Sequence, residues 1–144
     1  MDKIKVGVIG VGRGMGFARG AGHAGMELVA LCDKWEERLS EAGKELNVAT
    51  YTDYSEFLKH DMDAVILANY FNEHTPYAIQ AFEAGLHVMS ETSCNATLAE
   101  GVELCRAVEK SGRIYMLAEN YAYTAFSRKC GDFIFLGSWG ARGF

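Results

Sequence analysis

A cluster of glycines near the start of the chain has the composition of a phosphate-binding loop. Residues 7–25 hold eight of the sixteen glycines of this 144-residue chain, and the run from Gly10 to Gly16 reads GVGRGMG. Glycine is needed where a tight turn takes positive φ, and a second glycine lets the backbone approach a pyrophosphate closely. The helix after such a turn offers unpaired N–H groups to phosphates. We therefore expect this loop to hold the phosphates of a dinucleotide.

The loop matches the dinucleotide pattern G-x-G-x-x-G at two of its three glycine positions. Gly10 and Gly12 fill the first two positions, and Met15 fills the third, with a glycine on either side of it. We assign Gly10, Gly12, Arg13, Gly14 and Met15 to cofactor binding. A glycine-rich turn that binds no ligand is the alternative.

An acidic residue follows at the spacing that such a site requires. Asp33 ends the second apolar run, 23 positions after Gly10. This is close to the roughly 20-residue spacing at which a carboxylate meets the adenosine ribose hydroxyls. A carboxylate there would repel a 2′-phosphate, so the sequence favours NAD. Lys34 and Arg13 are nearby cations, and they leave NADP open.

The elements that must position these residues alternate between strands and helices. Short runs rich in β-branched residues predict strands that are buried on both faces of a parallel sheet. These runs span 3–9, 27–32, 63–68, 86–90 and 113–118, with a shorter strand near 49–51. Helical spacing is found over 14–24, 35–46, 53–60, 97–111 and after His74. The alternation predicts βαβ crossovers and an α/β doubly wound parallel sheet, the Rossmann arrangement.

Three helix starts can be assigned from capping residues. Asp53 is the expected N-cap of one helix. Thr75 is the expected N-cap of the next, with Pro76 at its first position. Thr97 and Glu100 have the spacing of a capping box.

Charge, hydropathy and cysteine usage exclude several kinds of partner. The net charge is −5 and no more than two basic residues are adjacent, so we expect neither a nucleic-acid nor a membrane partner. There is no run of 18 apolar residues, and the first ten residues do not read as a signal peptide. The chain has four scattered cysteines without a CxxC pair. This usage indicates a cytoplasmic protein without a metal site or disulfide framework.

The end of the chain differs in composition from the rest. Residues 121–144 hold seven of the seventeen aromatic residues. We expect residues 1–125 to form a dinucleotide-binding Rossmann domain. We expect 126–144 to be an aromatic-rich tail, a truncated crossover toward a missing C-terminal domain. Because so aromatic a segment needs covering, we also expect a homo-oligomer.

Several segments together resemble the N-terminal NAD(P)-binding domain of the glucose–fructose oxidoreductase / inositol dehydrogenase (Gfo/Idh/MocA) family. The resemblance covers roughly residues 3–125. It is carried by the segments Val8–Gly14, Met26–Asp33, Ala68–His74, Ala78–Glu91 and Ala118–Asn120.

The resemblance implies further cofactor-binding residues and an activity. The residues implied, beyond the glycine loop with Asp33 and Lys34, are Ala68, Asn69, His74, Glu91, Thr92 and Asn120. Polar residues that only open a helix or line a loop are the alternative for His74, Glu91 and Asn120. The implied activity is hydride transfer between nicotinamide and a hydroxyl-bearing carbon of a sugar or cyclitol, which would be the substrate of the full-length protein.

The sequence departs from the family pattern in ways that leave the activity of this chain open. Thr92 stands where the family has the lysine of Glu-Lys-Pro, Tyr70 stands where a proline is usual, and Met15 interrupts the glycine loop. Family members are also more than twice as long and carry a second domain. Two alternatives follow: an NAD-dependent, redox-assisted glycosidase, or a truncated cofactor-binding domain without catalysis. No catalytic residue is assigned.

Overall fold

A six-stranded, wholly parallel sheet forms the centre of the molecule. The computed structural model describes residues 2–120 and, beyond them, Thr124, Ala125, Ser127 and Lys129. The strands are β1 (Ile4–Ile9), β2 (Met26–Cys32), β3 (Ala49–Tyr51), β4 (Ala64–Leu67), β5 (His87–Ser90) and β6 (Tyr115–Leu117). Their spatial order is β3-β2-β1-β4-β5-β6, with every neighbouring pair parallel. This order confirms the predicted doubly wound fold.

Within residues 2–120, five α-helices connect the strands. They are α1 (Met15–Gly20), α2 (Glu36–Leu46), α3 (Tyr54–Phe57), α4 (His74–Glu83) and α5 (Leu98–Ser111). Short 3₁₀ turns follow α1 at Ala21–Ala24 and precede α4 at Phe71–Glu73. The direction of connection reverses between β1 and β4, which opens a crevice at the carboxyl ends of these two strands.

The core lies on both faces of the sheet, which is why the strands read as continuous apolar runs. On β4, the side chains of Val65 and Leu67 join one buried cluster, whereas Ile66 between them joins the other. On β2, Leu31 and Cys32 divide in the same way. Successive side chains of a strand point to opposite faces, so a strand that is covered on both sides carries apolar side chains on both faces.

Two of the three assigned helix starts are confirmed, and one is wrong. The Asp53 carboxylate accepts a hydrogen bond from the Glu56 N–H at 2.9 Å, and Thr97 and Glu100 form the expected capping box. However, α4 begins one residue before Thr75, and the Thr75 hydroxyl donates to a loop carbonyl instead of capping the helix.

Two helices are shorter than their sequence patterns. The pattern over 14–24 forms an α-helix only as far as Gly20. Three glycines beyond its first residue, Gly16, Gly20 and Gly22, explain its early end, because glycine lowers helix stability. Similarly, α3 ends at Phe57, before the end of the predicted segment 53–60.

Three further observations concern membrane spans, metal ligands and cysteines. Within the described residues, no helix is long and apolar enough to cross a membrane. The same residues contain no group of three metal-ligating side chains. The three described cysteines, Cys32, Cys94 and Cys105, are free thiols. The predicted tail over 126–144 lies almost entirely outside the described residues.

Candidate cofactor-binding site

Gly10 lets the end of β1 lie directly against the end of β4. Its φ is +98°, and a Cβ built on it would lie 2.3 Å from the carbonyl oxygen of Ala68. The Gly10 N–H donates to the Cys32 carbonyl at 2.9 Å, which ties the loop to the end of β2. Only glycine meets both requirements, since other residues rarely adopt this φ and would collide with the β4 backbone.

The next two glycines differ in what surrounds them. A Cβ on Gly12 would meet nothing within 4 Å, whereas a Cβ on Gly14 would lie 2.1 Å from the Gly10 carbonyl oxygen. Gly12 therefore leaves open space beside the backbone, as a bound pyrophosphate needs. Gly14 provides the close packing of helix on strand that the third glycine of the pattern usually provides. Met15 can replace that glycine because its side chain is buried in the core, only 7% exposed.

Asp33 links the end of β2 to the glycine loop. One carboxylate oxygen accepts from the Val11 N–H at 2.7 Å, and the other accepts from the Trp35 N–H at 2.9 Å. Each carboxylate oxygen has a further acceptor position, so the group can also receive ribose hydroxyls. The sequence spacing predicted a ligand contact for Asp33 but did not show its hydrogen bond to the loop.

Two cations and an exposed aromatic ring lie within five residues of Asp33 in the sequence. The Lys34 ammonium lies 3.7 Å from the Glu73 carboxylate. The Tyr77 phenol, followed by Glu73, raises the pKa of Lys34 above its ordinary value, so Lys34 stays charged. The Trp35 ring is 57% exposed, and the Arg38 guanidinium lies 5.3 Å from its centroid.

The end of β4 presents an unsatisfied acceptor. The Asn69 amide nitrogen donates to the Glu73 carboxylate at 3.2 Å. Its Oδ1 atom is buried and has no hydrogen-bond partner among the described residues. A buried acceptor without a partner costs about 1–3 kcal/mol, so a ligand that donates to Oδ1 would recover free energy. Together with the space at Gly12, this atom shows that the crevice fits a polar ligand such as a dinucleotide.

The end of β5 is joined to the glycine loop by an ion pair. One Glu91 carboxylate oxygen accepts from Arg13 Nε at 3.3 Å, and the other accepts from the Thr92 N–H at 3.1 Å and the Thr92 hydroxyl at 3.2 Å. The Glu91 side chain is 12% exposed and that of Arg13 is 69% exposed. The peptide bond from Thr92 to Ser93 is cis.

The remaining residues assigned from the sequence, Ala68, Asn120 and His74, differ in their exposure to solvent. Ala68, which follows β4, is buried at 6% exposure. Asn120 is exposed and lies three positions beyond β6. The segment before it is tied to β5, because the Ala118 N–H donates to the Ser90 carbonyl at 2.7 Å. The His74 ring is only 1% exposed, and its Nδ1–H donates to the Ser93 carbonyl at 2.7 Å. The structure thus places His74 beneath the loop that follows β5.

A separate open groove lies away from this crevice. It has a volume of about 690 Å³ and lies against β2, α2 and β3, where Lys44, Val48 and His60 line it. None of the residues that line it belongs to the loops at the carboxyl ends of the strands. The candidate site is therefore the open crevice at the strand ends.

Comparison with known proteins agrees with this geometry. A family model described as an oxidoreductase family with an NAD-binding Rossmann fold matches residues 4–119. Glycosyl hydrolase family 109 protein 1 of Bacteroides fragilis is 33% identical over 139 residues, covering 88% of this chain and 30% of that protein. A glycosyl hydrolase family 109 protein of Shewanella pealeana is 32% identical over 141 residues, with 85% and 30% covered. The chain thus spans about 30% of the length of these curated relatives.

Two solved structures show the same architecture. The myo-inositol 2-dehydrogenase of Lactobacillus plantarum superposes with a TM-score of 0.86 at 26% identity, covering 96% of this chain and 43% of that one. The WlbA dehydrogenase of Bordetella pertussis, in complex with NADH and UDP-GlcNAcA, gives 0.87 at 26% identity, with 96% and 44% covered. The chain therefore belongs to the Gfo/Idh/MocA oxidoreductase family, and residues 4–119 are its NAD-binding Rossmann domain.

Proposed function

We propose that this chain binds NAD across the strand-end crevice, as the cofactor-binding part of an oxidoreductase. The reaction would transfer a hydride between nicotinamide and a hydroxyl-bearing carbon of a sugar or cyclitol. The glycine loop carries this proposal, because Gly10 and Gly14 are closely packed whereas Gly12 is open. NAD, when bound, accepts and returns the hydride, and the protein supplies binding and orientation.

Each end of the crevice has a distinct role in this proposal. The backbone N–H groups near Gly12, from Arg13 to Met15, bind the phosphates. Asp33 accepts hydrogen bonds from the adenosine ribose, beside Lys34. The β4, β5 and β6 ends hold the nicotinamide half. The residues proposed there are Ala68, Asn69, Glu91, Thr92 and Asn120.

Calorimetric titration of NAD tests the role of Asp33. We expect Asp33→Ala to weaken NAD binding by about 1–3 kcal/mol, because ribose hydroxyls lose a charged acceptor and the Val11 N–H loses its partner. The matched control is Asp53→Ala, which removes a carboxylate from the N-cap of α3. This control should lower stability and leave NAD affinity unchanged. Equal affinities of wild type and Asp33→Ala would refute the role of Asp33.

The preference for NAD over NADP is a second part of the proposal. The Asp33 carboxylate lies where a 2′-phosphate would approach, and like charges repel. Lys34 and Arg13 oppose this effect, but both already have a carboxylate partner, Glu73 and Glu91 respectively. Competition between NAD and NADP at fixed ionic strength should favour NAD. Equal binding would show that the cations compensate for Asp33.

A redox-assisted glycosidase is the second candidate for the full-length protein. It is favoured by Thr92 at the position of the family lysine and by the names of the glycosyl hydrolase relatives. A threonine hydroxyl does not accept a proton near pH 7, so in either reaction another group must deprotonate the substrate hydroxyl that is oxidised. Absorbance of the full-length protein at the nicotinamide band separates the two: a dehydrogenase accumulates NADH, whereas the glycosidase regenerates NAD in each turnover. A chain that binds cofactor without catalysis would do neither.

Self-association and a cytoplasmic location complete the proposal. Exposed apolar side chains are found on β6, at Met116 (55%) and Leu117 (40%), and on α5, at Leu98 (89%) and Val102 (49%). Apolar surface of this kind supports a homo-oligomer, which light scattering would detect by mass.

The free thiols at Cys32, Cys94 and Cys105 support a location in the cytoplasm, where cysteines stay reduced.

A further inference from the structure

Two buried polar side chains at the start of α4 hold the loop that follows β5. His74 is 1% exposed and Thr75 is 2% exposed. The His74 Nδ1–H donates to the Ser93 carbonyl at 2.7 Å, and the Thr75 hydroxyl donates to the Cys94 carbonyl at 3.0 Å. Two consecutive helix residues therefore hold two consecutive carbonyl groups of the loop.

This loop, residues 91–97, is held at its two ends by other contacts. The Glu91 N–H donates to the Leu67 carbonyl at 2.8 Å, and Thr97 caps α5. Between these ends the side chains of Thr92 and Ser93 are exposed, whereas Cys94 is partly buried and packs against the core. The hydrogen bonds from His74 and Thr75 hold the middle of the loop, and they are shielded from water, where a hydrogen bond is electrostatically stronger.

The strand order places this loop at the nicotinamide half of the site. A dinucleotide lies across the point where the strand order reverses, which here is between β1 and β4. Asp33 at the end of β2 assigns the adenosine to the side of β2 and β3. The other half of the ligand then lies on the side of β4 and β5, where the loop presents Glu91 and Thr92.

We propose that His74 and Thr75 are positioning residues, which fix loop 91–97 so that Glu91 and Thr92 meet the nicotinamide riboside. This inference rests on the proposed NAD-binding function. His74 Nε2 is buried and has no hydrogen-bond partner among the described residues. The bond from Nδ1 to Ser93 is therefore the polar contact that the ring supplies. An asparagine places an amide nitrogen at nearly the same position, so it can replace this bond.

Two ligands measured on the same variants test the positioning role. NAD contains both halves of the dinucleotide, whereas ADP carries the adenosine and both phosphates without the nicotinamide riboside. We expect Thr75→Val and His74→Ala to weaken NAD binding roughly five- to tenfold, the loss of about one hydrogen bond. Because ADP lacks the nicotinamide riboside, its binding should change less than about twofold in these variants. Thr75→Ser and His74→Asn restore the donor and should recover most of the NAD affinity.

A control variant separates positioning from loss of stability. Ala81→Gly lies in the buried face of the same helix, away from the loop, and should lower stability without changing the ratio of NAD to ADP affinity. A parallel fall in NAD and ADP affinity, or no fall in either, would overturn the positioning role while NAD binding by the wild type still supports the proposed function. Failure of the wild type to bind either nucleotide would refute the proposed function and the positioning role with it.

Discussion

Cys32 and Asp33 are neighbours at the end of β2, but their environments differ. The Cys32 side chain points into the core and is 2% exposed. The Asp33 carboxylate lies at the crevice, where it accepts the Val11 and Trp35 N–H groups. Side-chain alternation along a strand accounts for the difference. A core side chain and a carboxylate at the crevice can therefore follow each other directly in the sequence.

Burial makes Cys32 sensitive to alkaline pH. Burial, followed by the Asp33 carboxylate, raises the pKa of the Cys32 thiol from 9.0 to about 12. Between these values the unfolded chain releases a proton that the folded protein keeps, so stability falls as pH rises above 9. We expect the wild type to lose roughly 1 kcal/mol more than Cys32→Ala between pH 8 and pH 10, measured by urea unfolding. Equal losses in the two proteins would contradict this.

At the scale of elements, the site is made by strand ends that tight backbone contacts bring together. Gly10 allows β1 and β4 to touch. The hydrogen bond that Asp33 accepts from the Val11 N–H extends the contact to β2, and the one that Arg13 donates to Glu91 extends it to β5. Glu73, in the 3₁₀ turn Phe71–Glu73, and His74, at the start of α4, then hold Asn69 and the Ser93 carbonyl by hydrogen bonds. The site therefore depends on backbone geometry as much as on side-chain chemistry.

Two glycine substitutions should have opposite effects on stability. Gly10→Ala places a Cβ 2.3 Å from the Ala68 carbonyl oxygen at φ +98°, so it should cost roughly 2–5 kcal/mol. Gly16→Ala meets nothing within 4 Å in α1, and it should stabilise the protein by about 0.5–1 kcal/mol. Thermal unfolding of both variants measures the two effects. A Gly10→Ala protein as stable as the wild type would show that β1 and β4 do not approach this closely.

The sequence predicts the elements better than the contacts between them. The strands, the fold and the Thr97 capping box follow from local patterns, because periodicity and capping act over a few residues. Gly14 takes the place of the missing third glycine because it packs against the Gly10 carbonyl. Predicting this would require the three-dimensional position of that carbonyl. His74 is buried because α4 contacts a loop 19 positions away, and its burial cannot be predicted without that contact. Such long-range contacts have no local sequence pattern.

At the scale of the whole molecule, the described residues form an NAD-binding Rossmann domain. The chain spans about 30% of the length of its curated relatives, and the crevice at the strand ends is open. Hydride transfer needs the substrate carbon held about 3–3.5 Å from the nicotinamide, with a proton acceptor in reach. Thr92 does not provide that acceptor.

The 144-residue chain should therefore bind cofactor without turning over a substrate. We expect no NAD reduction above background with a panel of sugars and inositols, measured by absorbance at the nicotinamide band. The myo-inositol 2-dehydrogenase of Lactobacillus plantarum, assayed in parallel with myo-inositol, serves as the positive control. Robust turnover by the 144-residue chain would show that these residues alone hold substrate and proton acceptor.

The central claim is that the open face of Gly12 holds the phosphates of NAD, and calorimetric titration of NAD tests it most directly. The measurement compares the wild type with Gly12→Val, whose Cβ would lie in free space with no protein atom within 4 Å. We expect one saturable site per chain in the wild type, and an affinity at least about tenfold lower in a variant that unfolds at the same temperature. No saturable binding by the wild type, or equal binding by the two proteins, would contradict the account.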